Sequence, residues 1–251
     1  MNGRGKYQGM LAIARFNWPS YTVGILTMIL SLSGFLLLGN LRLRVVCGVA
    51  FAAAAYFVAG SLAVSHLIYD RSDLYRWNWL RRALQGARLR QATFCHCGFD
   101  EASPSLRSHF SDVEWHVLDH FERKQMTEPS IRRARAMFPP WPDTLPSPYN
   151  AWPLAPESTD VVLALLAIHE LRGEPERSAW FAESRRCLRR GGRVVLAEHV
   201  RDTVNFLAFG PGFLHFHSPA SWRRCWESAG FDSIDEFRVT PFIRIFVLRA
   251  E

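Results

Sequence analysis

Acidic residues are missing from the first 69 positions of this 251-residue chain, which leaves two long apolar runs there and a soluble-looking remainder from residue 70 onward. Cysteine is scarce. The five present (Cys47, Cys95, Cys97, Cys187, Cys225) are scattered and odd in number. That excludes a disulfide scaffold and suits a reducing compartment. No internal repeat is visible, so a solenoid is excluded. No small-residue cleavage site separates the two apolar runs, and the segment before the first is long for a secretory leader. The soluble part has no basic stripe interleaved with stacking aromatics. The net charge of +7 therefore does not point to nucleic acid. With 49% hydrophobic and 21% charged residues, the chain is not a disordered polymer.

The first apolar run extends from Tyr21 to Leu38 and the second from Val45 to Tyr69, with only Gly39-Asn40-Leu41-Arg42-Leu43-Arg44 between them. A membrane-spanning helix needs about 20 apolar residues. Residues 1–69 are therefore expected to form a two-helix transmembrane hairpin. A pair of buried core helices is the competing expectation, weakened by the lack of a polar stripe from Val45 to Leu62. Arg4, Lys6 and Arg15 precede the first run, and Arg71, Arg76, Arg81, Arg82, Arg88 and Arg90 follow the second. The connector has only Arg42 and Arg44. The positive-inside bias then puts both termini and the soluble domain on the cytoplasmic side of the inner (cytoplasmic) membrane. Residues 70–90 mix Tyr75, Trp77 and Trp79 with arginines, the composition of a juxtamembrane helix at the headgroup level or of an ordinary linker helix.

Residues 91–251 alternate short apolar strands with amphipathic helices. Strands are expected at Ala92–Cys97, Val113–Leu118, Asp160–Leu165 and Arg193–Glu198. Helices are expected from Gly98 to Phe110, from Thr127 (as cap) to Met137, from Glu176 to Leu188 and from Ser221 to Ala229. Gly191-Gly192 would end the third of these helices, with Arg189 and Arg190 at its C-terminus. Seven prolines between Pro139 and Pro156 predict an irregular loop. Phe237–Thr240 and Ile243–Arg249 would close the domain as a hairpin. The fold class is α/β, a Rossmann-like doubly wound sheet with a terminal antiparallel hairpin, preceded by the two-helix hairpin.

This order of motifs resembles the class I, S-adenosylmethionine-dependent methyltransferases of the methyltransferase type 11 kind. The likeness rests on Trp152-Pro153-Leu154 followed by Ser158-Thr159-Asp160-Val161-Val162-Leu163. It continues through Leu188-Arg189-Arg190-Gly191-Gly192-Arg193-Val194-Val195-Leu196-Ala197-Glu198 and ends with Trp222 and Ala229-Gly230-Phe231. The resemblance implies S-adenosyl-L-methionine as cofactor, lying across the carboxyl ends of the strands. It implies Asp119 as the acid gripping both ribose hydroxyls, with further cofactor contacts from His96, Gly98, His120, Asn150 and Ala151. The family's glycine-rich first motif is reduced here to Cys97-Gly98-Phe99-Asp100-Glu101. Either the cofactor binds in an altered way or the domain has lost it.

Methyl transfer to oxygen or carbon needs an aligned acceptor and a base. His169-Glu170 after the fourth strand, and His199 with Asp202 after the fifth, are the candidate catalytic residues; histidine titrates near neutrality. They could equally cap helices and brace loops. The aromatic, Gly-rich stretch from Asn205 to His217 suits a lid over an apolar acceptor, a lipid-touching surface or a packed loop. Cys95-His96-Cys97 is not expected to bind a metal, because His96 points to the opposite strand face from the two cysteines. The expected function is a membrane-anchored methyltransferase acting on a lipophilic small molecule or lipid. The alternative is an inactive, methyltransferase-like accessory subunit of a membrane protein complex.

Overall fold

A computed structural model describes residues 5–250. Arg4, one of the basic residues flanking the first apolar run, lies outside them. The chain opens with a short helix, α1 (Gln8–Phe16), which the sequence analysis did not anticipate. Two long apolar helices follow, α2 (Trp18–Leu37) and α3 (Leu41–Ser65), and α3 runs on through a π-helical turn to Arg71. Both are long and apolar enough to cross a membrane. Asn40 caps α3 by accepting the N–H groups of Arg42 and Leu43. The two helices pack closely. A Cβ at Gly24 would lie 2.7 Å from Val58, and one at Gly34 would lie 2.7 Å from Cys47.

Seven strands follow: β1 (Gln91–His96), β2 (Glu114–Asp119), β3 (Leu145–Pro146), β4 (Thr159–Leu165), β5 (Leu188–His199), β6 (Phe231–Thr240) and β7 (Ile243–Ala250). The sheet order is β3-β2-β1-β4-β5-β7-β6, and all strands run parallel except β7, which is antiparallel to both β5 and β6. The expected doubly wound sheet and terminal hairpin are both there. Every residue of β4 is buried, as its unbroken apolar run requires. The register brings the ends of β1, β2, β4 and β5 to one edge: His96 lies beside Asp119, and Leu165 beside Ala197.

Several local expectations are corrected. The proline-rich segment contributes β3, whose Leu145 and Pro146 pair with Leu118 and Asp119. Gly191-Gly192 does not stop a helix. That helix, α7 (Glu174–Cys187), ends earlier, and the glycines lie inside β5, where the register against β4 shifts between Thr159 and Val161. Gly191 adopts φ 77°, and a Cβ on Gly192 would meet the backbone oxygen of Asp160 at 2.9 Å. Arg189 pairs with Asp160 rather than facing a helix end. Thr127 does not cap α6 (Pro129–Met137), although Pro129 takes its first position.

The aromatics between residues 70 and 90 are buried in the protein. α4 (Asn78–Ala83) and the turn before it pack on one face of the sheet. There Leu74, Trp77, Trp79 and Leu80 join the core with Leu106 of α5 (Ser103–His109). Trp77 is 0% exposed, and its indole N–H donates to Ser105 Oγ at 3.0 Å. An amphipathic arginine-rich segment is ambiguous between lipid and protein partners, and here the apolar face of the sheet takes the rings. Trp77→Ala should therefore cost about 3–5 kcal/mol. Denaturant unfolding of the full chain in detergent measures this. A headgroup-level ring would change stability little without lipid. The opposite face is covered by α7 and α9 (Pro219–Glu227) through Trp180, Phe181, Trp222 and Trp226.

α1 lies across the carboxyl edge of the sheet and is held at both ends. Asp70 accepts the N–H groups of Gly9 (2.7 Å) and Met10 (3.1 Å) at its start. Arg133 of α6 donates to the Phe16 carbonyl at its end, at 2.6 Å. Phe16 packs edge-on against Phe99 and Phe138. Phe99, the bulky departure from the family's glycine motif, is thus the seat of α1.

Candidate active site

The best-ordered chemistry lies where β4 and β5 end. After Leu165 the chain turns through Leu166, at φ 51°, into a short 3-10 turn, Ile168–Glu170. The free N–H groups of Ala167, Ile168 and His169 all donate to Glu198 Oε1, at 3.0, 2.9 and 3.3 Å. Glu198 Oε2 meets His169 Nδ1 at 2.7 Å. The imidazole is thereby fixed with Nε2 free, 3.7 Å from Glu170 Oε1. Burial disfavours its charged form. The charge and hydrogen bond of Glu198, with the charge of Glu170, outweigh that and raise His169 above the ordinary histidine value. His215 Nε2 lies 3.5 Å from the same Glu170 oxygen, and its Nδ1 lies 3.7 Å from Glu128. Burial pushes Glu170 up, but His215, His169 and Arg172 together hold it below the usual carboxylate value.

His199 is placed differently. Its Nε2 lies 3.2 Å from the Tyr69 hydroxyl, and its Nδ1 faces the Phe242 carbonyl and Asn205 Oδ1. Its ring stacks on Phe216. Burial, then the neighbouring His169 charge, push it down to about 3. It is a neutral bracing group between α3's extension and β5. Asp202, expected beside it, instead caps α8 (Thr203–Phe209) by accepting the Asn205 N–H and pairs with Arg238. It does not line the cavity described next.

That cavity, about 780 Å³, lies between the carboxyl edge of the sheet and the N-terminal helices. Its floor includes Cys97, Phe99, His169, Glu170 and His199, its far wall Tyr21, Phe57 and Ser61 of the helical hairpin, and its roof α1. The Asn205–His217 stretch forms α8 and a 3-10 turn (Gly210–His215) that close one side. The Leu207 carbonyl accepts the Tyr56 hydroxyl of α3 at 2.7 Å. The stretch is therefore a wall of the cavity docked on the hairpin.

The residues expected to hold the nucleoside do not line this cavity. Asp119 ends β2 as expected, but its side chain is 2% exposed and both oxygens are engaged. Oδ1 accepts the Phe121 N–H at 3.0 Å, and Oδ2 is ion-paired with Arg135 of α6. The Arg135 guanidinium also covers the Phe121 ring, 4.6 Å from its centre. Gly98, at φ 94°, faces that ring: a Cβ there would meet it at 2.7 Å. His96 Nδ1 accepts the Gly98 N–H at 3.2 Å, while its buried Nε2 has no partner. His120 is a core residue, bonded to the Ser147 carbonyl and the Trp180 indole and stacked on Trp152. Asn150 and Ala151 are exposed and do not line the cavity.

Burial lowers His120 to about 4, as it lowers His199 to about 3. A histidine depressed by folding contributes stability above its unfolded value near 6.5 and loses it as pH falls toward the folded value. Thermal melts should therefore drop steeply between about pH 6.5 and 4, and His120→Gln should flatten that slope. An unchanged slope would mean the His120 ring is not held neutral by the core.

Residues 115–196 match the methyltransferase domain family. Among solved structures, the chain is similar to a SAM-dependent methyltransferase from Aquifex aeolicus at 13% identity, covering 70% of this chain and 90% of that one, with a TM-score of 0.52. A protein from Pyrococcus horikoshii OT3 is similar at 15% identity over 71% and 89% of the two chains, with a TM-score of 0.52. The [4+2]-cyclase SpnF is similar at 14% over 72% and 82%, with a TM-score of 0.50. No curated protein matches. At these identities the structural likenesses establish the fold. Together with the match over residues 115–196 they give residues 91–251 the fold of the class I methyltransferases.

The family implies S-adenosylmethionine. With Asp119 bound to Arg135 and Phe121 lying on Gly98, the acid expected to hold the ribose is engaged within the protein in this conformation. Arg135, Phe121 and His215 are absent from the site residues expected from sequence, whereas Glu198 stands in the stretch expected after the fifth strand but orients His169 and not the adjacent His199. His215 had a signal, an aromatic and histidine-rich segment beside two glycines. Arg135 had none, being one arginine among several on an amphipathic helix.

Proposed function

We propose that this protein is a membrane-anchored methyltransferase whose acceptor is a lipophilic small molecule or lipid entering from the bilayer. The observation that carries the reading is the single cavity shared by the apolar hairpin, through Tyr21, Phe57 and Ser61, and the His169–Glu198 pair. An acceptor drawn from the membrane would reach the reacting groups without crossing water. The excess of arginines at both ends of the hairpin favours a cytoplasmic soluble domain at the inner membrane.

S-adenosylmethionine, when bound, supplies a methyl group that is already activated. The chain's own residues have three tasks. α1 and the Asn205–His217 wall exclude water. The apolar walls orient the acceptor. The end of the cavity formed by His169, Glu170 and His215 is where an acceptor hydroxyl loses its proton, with Glu198 fixing His169 for that task. Arg135 must leave Asp119 before the nucleoside can be held.

The closed seat specifically favours a second reading, an inactive accessory subunit of a membrane protein complex. One experiment separates the two. Membranes carrying the protein are incubated with methyl-labelled S-adenosylmethionine and extracted with organic solvent. Label in the organic phase that disappears with His169→Ala supports the enzyme. No label above that of membranes lacking the protein, together with no binding of S-adenosylhomocysteine to the folded chain, supports the accessory subunit.

A further inference from the structure

The His169, Glu170 and His215 side chains do more than line the cavity. Their ligand atoms lie within 4.8 Å of one another. The Glu170 oxygen is 3.7 Å from His169 Nε2 and 3.5 Å from His215 Nε2. Bonds of about 2.1 Å to one ion place tetrahedral ligand atoms about 3.4 Å apart, so the cluster needs only a small inward closure. Two imidazoles and one carboxylate are a donor set for a divalent transition ion.

The surroundings have the form of a metal site's supporting shell. Metal-bound histidines commonly give their second nitrogen to a carboxylate, which fixes the ring and sharpens the lone pair aimed at the ion. Glu198 does this for His169 at 2.7 Å, itself 0% exposed and held by three backbone amides. Glu128 lies 3.7 Å from His215 Nδ1. The opposing charge is Arg172, whose guanidinium is bound to the His169 and His215 carbonyls. Glu170 within the cluster and Glu198 and Glu128 beside it are thus set against one cation tied to backbone oxygens. From the sequence no metal is expected, because His96 faces away from Cys95 and Cys97 and no further CxxC or His pair stands at ligand spacing. His215 lies 45 residues beyond Glu170 and arrives only through the Asn205–His217 wall.

We propose that His169 Nε2, a Glu170 carboxylate oxygen and His215 Nε2 bind one divalent transition ion of the zinc class, with a remaining coordination position facing the cavity. An acceptor's hydroxyl oxygen has its place at that position, where the bound ion would favour its ionised form in place of His169 Nε2, which as a ligand no longer serves as the base, so the ion's role rests on the methyltransferase reading; its binding does not.

The test is made on the untagged full-length protein in detergent micelles, stripped with a chelator. Co²⁺ is titrated while the visible absorption of a protein-bound cobalt centre is followed, and Zn²⁺ content is measured after dialysis. The expected result is one ion per chain, with loss of the cobalt spectrum in His169→Ala, Glu170→Gln and His215→Ala. Glu198→Gln should weaken binding about 10- to 100-fold, and the surface variant His109→Ala should leave it unchanged. His215 is half-buried and tolerates truncation, so His215→Ala keeps the test valid if His169→Ala does not fold. Substoichiometric ion, or full binding in His215→Ala and Glu170→Gln, overturns the site. Neither readout involves methyl transfer, so its failure is distinct from failure of the proposed function.

Discussion

Arg135→Ala should raise the affinity for S-adenosylhomocysteine by about 10- to 100-fold over the unaltered protein. The Asp119 carboxylate is buried, and its Oδ2 is occupied by the Arg135 guanidinium. A ribose can take that oxygen only after the ion pair opens. A hydrogen bond to a charged group contributes about 1.5–3 kcal/mol, and each 1.4 kcal/mol is tenfold in affinity. In population terms, the apparent dissociation constant is the intrinsic one divided by the open fraction, and the variant makes the open state dominant. Truncating Arg135 also loosens Phe121, whose ring the guanidinium covers.

Asp119→Ala should abolish binding, alone or combined with Arg135→Ala. By itself it should also destabilise the fold, because it leaves Arg135 without its carboxylate partner. Breaking a buried pair typically costs about 3–5 kcal/mol. Since Arg135 is partly exposed and can reach water, the lower end is expected here. Calorimetric titration of the full chain in detergent reads the affinities. Weaker binding by Arg135→Ala would mean that the arginine grips the cofactor instead of excluding it. Absence of binding in both folded proteins would leave only the accessory-subunit reading.

His169→Ala should lower methyl incorporation into the organic extract by about 10²- to 10⁴-fold, the range of a positioned proton-transfer group, while cofactor affinity changes little. The ring follows β4 and Asp119 ends β2, with β1 between the two strands. A loss in turnover without a loss in affinity is the signature of a group acting at the acceptor. Glu198→Gln should reproduce most of the effect. The amide keeps the shape but cannot accept from three backbone N–H groups and His169 with full charge. His199→Ala separates the two histidines. Because its nitrogens face Tyr69, Asn205 and Phe242, its removal should cost stability and cavity shape more than chemistry. Equal turnover losses for both histidines would return His199 to a direct role.

Much of this protein was determined by its sequence alone. Two apolar runs with a six-residue connector leave little choice but paired long helices, because each backbone group must be satisfied within its own segment. The strand-and-helix alternation from residue 91, with the buried run at Asp160–Leu165, set the parallel sheet and brought Asp119, His169 and Glu198 to the same edge. Periodicity and spacing are local properties, and these features are local. What the tertiary structure decided depends on partners distant in sequence. Trp77 and Trp79 went to the sheet and not to a lipid surface, since an apolar ring is driven by area and accepts any dry partner. Phe99 became the seat of α1, and His199 was taken by Tyr69, 130 residues away. Arg135 closed on Asp119, and His215 came to stand beside Glu170. A carboxylate's identity is written in the chain, but whether it meets a ligand, a histidine or an arginine is settled by which side chain reaches it when the core closes.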